Sequence, residues 1–362
     1  MAAKSCVRPV AAGLGALAAL VLLISGVFEA VASCGSASCF MITGEESAVQ
    51  PKGQLSMGLQ YAYTISKVAK GSNGRVTSVD QESRQLVLDE HAEHRTIGQT
   101  VLLNVDYGLT DRLTLEALLP YRRLKHTHVV DLGNDNGGFG TDETFQHNGM
   151  GDVRVGGKYS ILPTLRSLIV LGFGVDLPTG NSHTNNNNGR LQEPTLQMGR
   201  RAFGIAPSVY QSYEVIPHLL NQFASASYRH TFGGPNSYRF GDEYVLSGGL
   251  NVRTLKIVTL TGQFNWRYAV HDEFTGRLAK AQDPNADAGT FPDEPIVIDS
   301  EVKRRPVGTT GSTMLAFSPG ISVALRENLR AYFFAQIPVV RDFNGGLVPD
   351  TGFLFGLSMS VN

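Results

Sequence analysis

Apolar and polar side chains alternate at a period of two through most of this chain. The pattern is most regular over residues 100–121, TVLLNVDYGLTDRLTLEALLPY. Val101, Leu103, Val105 and Tyr107 share a face before a turn at Leu109-Thr110-Asp111; Leu113, Leu115, Ala117, Leu119 and Tyr121 share a face after it. Two such runs about a short turn predict a half-exposed β-hairpin. A turn centred on Thr110 pairs Val105 with Leu115 and Asn104 with Glu116, matching apolar with apolar and polar with polar.

The same unit recurs. Residues 53–68 place Leu55, Met57, Leu59, Tyr61, Tyr63 and Ile65 on one face, and comparable runs follow at 152–161, 169–177, 244–252, 258–268, 315–325, 329–339 and 353–361. Residues 203–209 and 223–228 are weaker strands with broken alternation. The total is twelve strands. Short turns near 110, 164, 216, 254 and 327 alternate with long or polar segments near 80, 139, 190, 236, 290 and 346. Residues 69–99, with DEHAEH at 89–94, the Gly/Asn/Asp-rich 129–148, the Asn-rich 181–189 and the Asp/Pro-rich 271–308 read as loops. An even strand number with short turns at one end and long loops at the other predicts an all-β fold, a transmembrane antiparallel up-and-down β-barrel over residues 53–362.

The faces can be assigned. The strands run about 10–12 residues, the length of a tilted membrane strand. The polar face carries Gly, Ser, Thr and isolated charges where a soluble surface would carry many more Lys and Glu. Tyr61, Tyr63, Tyr107, Tyr121, Tyr159, Tyr244, Trp266 and Tyr268 gather at strand ends on the apolar face, where interface girdles belong. The apolar face therefore meets lipid and the polar face lines a lumen.

Composition narrows the classes. A net charge of −1 without a basic run leaves no footprint for nucleic acid. A mean hydropathy of −0.07 is compatible with a membrane barrel, because half of each strand is polar. Lys4 and Arg8 precede an apolar run from Val10 to Phe28, followed by Ala30-Val31-Ala32, the three parts of a secretory signal peptide. Residues 1–32 are expected to be cleaved and 33–52 to form an N-terminal periplasmic segment, hanging free or entering the barrel as a small plug. Export permits a Cys34–Cys39 disulfide; Val31-Ala32-Ser33-Cys34 also fits a lipoprotein box that would make Cys34 a lipid anchor.

GMGDVRVGGKY (residues 149–159), the strand ending VDLPTG (175–180) and the hairpin YGLTDRLTLEALLPY resemble the outer-membrane barrels grouped as transporters of the meta-pathway of phenol degradation. The resemblance implies passive uptake of small, aromatic or hydrophobic compounds across the outer membrane of a Gram-negative type cell, with outer-membrane lipid and a solute as partners and no cofactor.

By parity, Asp106, Glu116, Asp152, Arg154, Lys158, Asp176, Arg267 and Arg330 point into the lumen. They either line a narrow aqueous path and set its field, or pair to pack the lumen shut. His91 and His94, with Asp89, Glu90 and Glu93, form either a metal site or a hydrated loop. Catalysis is not expected. In the segment after His183, which resembles that of outer-membrane phospholipases, Asn185 stands where a nucleophile is needed, and Ser318 in AFSPG sits mid-strand rather than at a strand-to-helix turn. The alternative to a channel is a non-conducting barrel whose extracellular loops bind a partner or metal.

Overall fold

In hydrocarbon no water completes an open sheet edge, so a sheet of these strands must close on itself. The computed structural model describes residues 49–70, 72, 74–130, 141–164, 166–185, 189, 191–234, 237–281, 295–345 and 347–361, and in it the sheet closes into a twelve-strand antiparallel barrel. Its wall strands are β1 (Leu55–Val68), β2 (Gln85–Gly108), β3 (Leu113–Val130), β4 (Val153–Pro163), β5 (Ser167–Leu177), β6 (Gly204–Ile216), β7 (Leu220–Thr231), β8 (Glu243–Arg253), β9 (Val258–Ala269), β10 (Ser312–Arg326), β11 (Leu329–Phe343) and β12 (Gly352–Val361). Each pairs with its sequence neighbour, and β12 closes the ring on β1 from Leu55↔Val361 to Tyr63↔Phe353. Residues 1–48, with the proposed cleavage site, Cys34 and Cys39, lie outside the described residues.

Exposure follows parity as a lipid-facing apolar wall requires. Leu59, Leu103, Leu115, Phe173, Phe264 and Phe355 are exposed, whereas Gln60, Asn104, Asp176, Gln263, Asn265 and Ser318 are buried on the inner face. The outer-end girdle forms on β7, β8 and β9. Tyr244 pairs with Tyr228 and Tyr268 and packs on both, at ring-centroid separations of 5.0 and 6.1 Å. Trp266 stacks on Tyr268.

The register of the first full hairpin differs from the expected one. Tyr107 pairs with Leu115 and Asp106 with Glu116, so the turn centres on Asp111 rather than Thr110. The shift is even and leaves every side chain on its expected face. The Thr110 side chain sets the turn, its Oγ1 accepting from Arg112 N and Leu113 N.

Three segments read as loops are instead strand or folded structure. β2 begins at Gln85 and carries Asp89–His94 in its outward extension, paired with Arg75–Asp80. Residues 273–280 and 296–306 form an outer hairpin, and Phe274 from it joins Val79, Leu86, Tyr238, Phe240 and Val307 in an apolar cluster above the wall. Thr141–Met150 extends the wall beside β3. Alternation is hard to see in these stretches because no lipid face demands that one side be apolar.

Leu103 sits mid-span, between Leu59 on β1 and Leu119 on β3. Leu103→Lys is expected to weaken insertion by ~2–4 kcal/mol, whereas Asn104→Lys, placed beside Asp106 on the inner face, inserts normally. Folding titrations into lipid vesicles check both; equal losses would contradict the assigned faces.

Candidate functional site

Six of the eight predicted lumen charges sort into two ion-paired groups. Nearer the short turns, the true register sets Asp106 directly opposite Glu116, two carboxylates that repel unless a cation stands between them. Lys158 on β4 supplies it, with Nζ 3.2 Å from Asp106 Oδ1 and ion-paired to Glu116. Asn104 Nδ2 donates to Asp106 Oδ2 at 3.2 Å.

Nearer the outer end, Asp176 on β5 accepts from Arg154 Nε at 2.7 Å and Nη2 at 3.1 Å. Arg229 Nε on β7 donates to the same carboxylate at 2.7 Å. Arg229 also approaches Glu243 at 3.9 Å, which accepts from Arg267 Nη2 at 3.1 Å and pairs with Arg200. Alternating charge thus runs from β4 to β9 around one side of the lumen. Arg229, Glu243 and Arg200 were not among the predicted residues. The broken alternation of β6 and β7 hid the inward face of Arg229, and Arg200 lies in a loop that sequence alone left outside.

Asp152 differs from the expectation of a lumen-lining charge. It occupies the break between Thr141–Met150 and β4 and holds a loop: its Oδ1 accepts from Gly180 N at 3.0 Å and its Oδ2 from Arg200 N at 2.6 Å. The GMGD and PTG motifs meet here. A Cβ on Gly180 would lie 2.7 Å from Gly151 C and 2.7 Å from Gly199 Cα, so only glycine permits this approach. Arg122 Nη1 donates to Met198 O at 3.0 Å, and Leu196 and Met198 are buried against inward Leu124. Residues 196–200 of the segment joining β5 to β6 are therefore folded into the outer mouth. Arg330 faces inward near the 327–328 turn, opposite Ser358.

The opposite side of the lumen carries an apolar cluster. Tyr332 and Phe334 on β11 pack with Leu354 on β12 and Ala62 on β1. Their rings fill positions where the neighbouring strands have Gly356 and Gly320, whose missing side chains make the room. In a ring of twelve, β11 and β12 stand six strands from β5 and β6, so the aromatic wall faces the Arg154–Asp176–Arg229 wall. At the short-turn end Val49 packs on lumen-facing Val170, Tyr210 and Phe223, and Gln50 N donates to Thr114 Oγ1 at 2.8 Å. The described end of the N-terminal segment thus enters the barrel.

His91, His94, His126 and His128 fall above the membrane band, since the outward residues of β3 change from Leu119 and Tyr121 to Arg123 and Lys125 before His126 is reached. His91 and His94 do not act together. A bulge between Glu93 and Arg95 adds one residue to β2 and reverses its parity, leaving His91 and Glu93 buried inside and His94 exposed. His91 instead meets His126 and His128 on β3. Burial lowers the imidazole of His126, and lowers that of His128 to about 4, helped by His91 and His126. For His91 burial is outweighed by hydrogen bonds to Glu90 and Glu93, which raise it well above its ordinary value.

The sequence profile of the family MetA-pathway of phenol degradation matches residues 69–289, more than half of the chain. Among solved structures, an outer membrane channel from Pseudomonas putida F1 aligns at 12% identity over 89% of this chain and 100% of that chain, with a TM-score of 0.56. A Ralstonia pickettii toluene transporter aligns at 13% identity over 86% and 90%, with a TM-score of 0.40. No curated protein matches the sequence.

Asp152→Ala removes two of the acceptors that hold the 178–203 segment, those of Gly180 N and Arg200 N. This variant is expected to be cleaved in that segment by protease added to intact vesicles, under conditions that leave the parent chain whole. Gly108→Ala places a Cβ on Pro51 O and should displace the Val49–Pro51 segment from the lumen. Raised single-channel conductance in planar bilayers is the expected outcome; an unchanged value would mean that the segment does not obstruct the path.

Proposed function

The chain belongs to the MetA-pathway of phenol degradation family, and from that premise we propose that it is a passive outer-membrane channel for small aromatic or hydrophobic molecules. The observation that carries this reading is the division of the lumen into two walls, Tyr332, Phe334 and Leu354 facing Arg154, Asp176 and Arg229. An aromatic solute with one polar substituent can slide its ring along the first wall and keep its polar atom on the second. The ion pairs give the charged wall a fixed field of small net charge, since four arginines on Asp176 and Glu243 leave +2 and the Asp106, Glu116 and Lys158 group returns −1. The P. putida F1 structure with the same fold is itself an outer membrane channel, which supports the reading. Export through an N-terminal signal peptide, residues 1–32, with 33–52 left as an N-terminal segment that enters the barrel from the periplasmic side at Val49–Pro51, is part of the same proposal.

One observation favours a second reading, a non-conducting barrel. Asp106, Lys158, Asp176 and Arg267 are buried and paired, so the lumen is narrow in this conformation. Flux separates the two. Vesicles with a lipopolysaccharide outer leaflet hold back hydrophobic solutes, and the protein is expected to speed entry of a labelled hydroxylated aromatic over that of a sugar of similar mass. Phe334→Ala should lower the aromatic-to-sugar ratio by about threefold or more, the scale of losing one ring contact of ~0.5–1.5 kcal/mol. Entry no faster than in empty vesicles, in both the parent chain and Asp152→Ala, would leave the scaffold reading.

A further inference from the structure

Above the membrane band, His91, His126 and His128 bring three ligand nitrogens within 4.8 Å of one another on the inner face of β2 and β3. Residues i and i+2 of a strand share a face, so His126 and His128 converge on one point, and the bulge at His94 turns His91 toward it from the neighbouring strand. We propose that these imidazoles, with the Glu93 carboxylate as fourth donor, form a binding site for a divalent transition metal, with Zn²⁺ the best fit.

The donor set is the first reason. Imidazole nitrogens suit zinc and its neighbours rather than magnesium or calcium, and three His with a carboxylate complete a tetrahedron. Glu93 is placed for this, with Oε1 3.4 Å from His91 Nε2 and Oε2 3.2 Å from His126 Nε2. Hydrogen bonding is the second reason. His126 is 1% exposed; its Nδ1 lies 2.8 Å from Thr96 Oγ1, which fixes the ring and directs Nε2 into the cluster. There His126 Nε2 and Glu93 Oε2 have no hydrogen-bond partner of good geometry, and neither does His128 Nδ1. Buried polar atoms left so are uncommon and costly, and an ion between them satisfies them together. Phe145 lies against both His126 and His128, keeping water from one side.

The fit requires a small closure. Metal–nitrogen distances of about 2.0–2.1 Å set tetrahedral donors roughly 3.3 Å apart, so the imidazole nitrogens must approach one another by at most about 1.5 Å, within reach of imidazole rotation. On binding, the ion takes the place of the proton on His91 Nε2, which lies 3.4 Å from Glu93 Oε1, and Nδ1 keeps its contact with Glu90 Oε2 at 3.5 Å.

The full-length barrel in detergent, stripped with chelator and dialysed, is titrated with Zn²⁺ by calorimetry and with Co²⁺ by visible absorption. One ion per chain and the strong d–d bands of tetrahedral cobalt are expected. His126→Gln and His128→Gln should each weaken binding by about tenfold or more, while His94→Ala, on the other face of β2, leaves it unchanged. Heat-modifiable migration on gels confirms that each variant has a closed barrel. The proposal is overturned by absent stoichiometric binding, by an octahedral cobalt spectrum, or by loss in His94→Ala equal to that in His126→Gln.

Discussion

Everything in this molecule depends on closing a sheet in a medium that offers no hydrogen bonds. Once β12 pairs with β1, the backbone is satisfied and the two faces of every strand take fixed environments. Hydrocarbon accepts only the apolar face, so the polar residues are forced together in the interior. A charge there is tolerable when paired and costly when alone. The ion-paired wall is thus a consequence of closure as much as a device for transport.

Pairing also decides how the lumen is shaped. The register brings Asp106 against Glu116 and makes Lys158 necessary. On the outer side, Asp152 and the close approach of Gly151, Gly180 and Gly199 hold a loop inside the barrel, where Arg200 extends the charged wall through Glu243. Glycine serves a second purpose across the lumen, where Gly320 and Gly356 leave space for Phe334 and Tyr332. One residue type with no side chain thereby builds both the constriction and the aromatic wall. That wall and the charges facing it give the lumen its amphipathic character.

Much of this was legible in the sequence, because lipid imposes a strict period of two. The strand number, the turn positions and the inward parity of Asp106, Glu116, Lys158, Asp176 and Arg267 follow from it. What parity could not give was register, since a shift of two residues, as from Asn104 to Asp106 opposite Glu116, leaves the pattern intact. Nor could it survive the bulge beside His94, where one inserted residue exchanges the faces and separates His91 from His94. Outside the bilayer the rule lapses altogether, and the strand over Asp89–His94 and the hairpin of 273–306 looked like loops. The GMGD and PTG motifs were visible as sequence, but their meeting across the 178–203 segment is a property of the fold.

The account stands or falls on which face of the wall meets lipid, and the chain has a single tryptophan with which to ask. Trp266 lies on the outer face of β9 beside Tyr268. Its fluorescence in vesicles should be quenched strongly by brominated lipid chains and weakly by iodide in the water. Strong quenching by iodide with none from brominated lipid would contradict the outward assignment and, with it, the lumen.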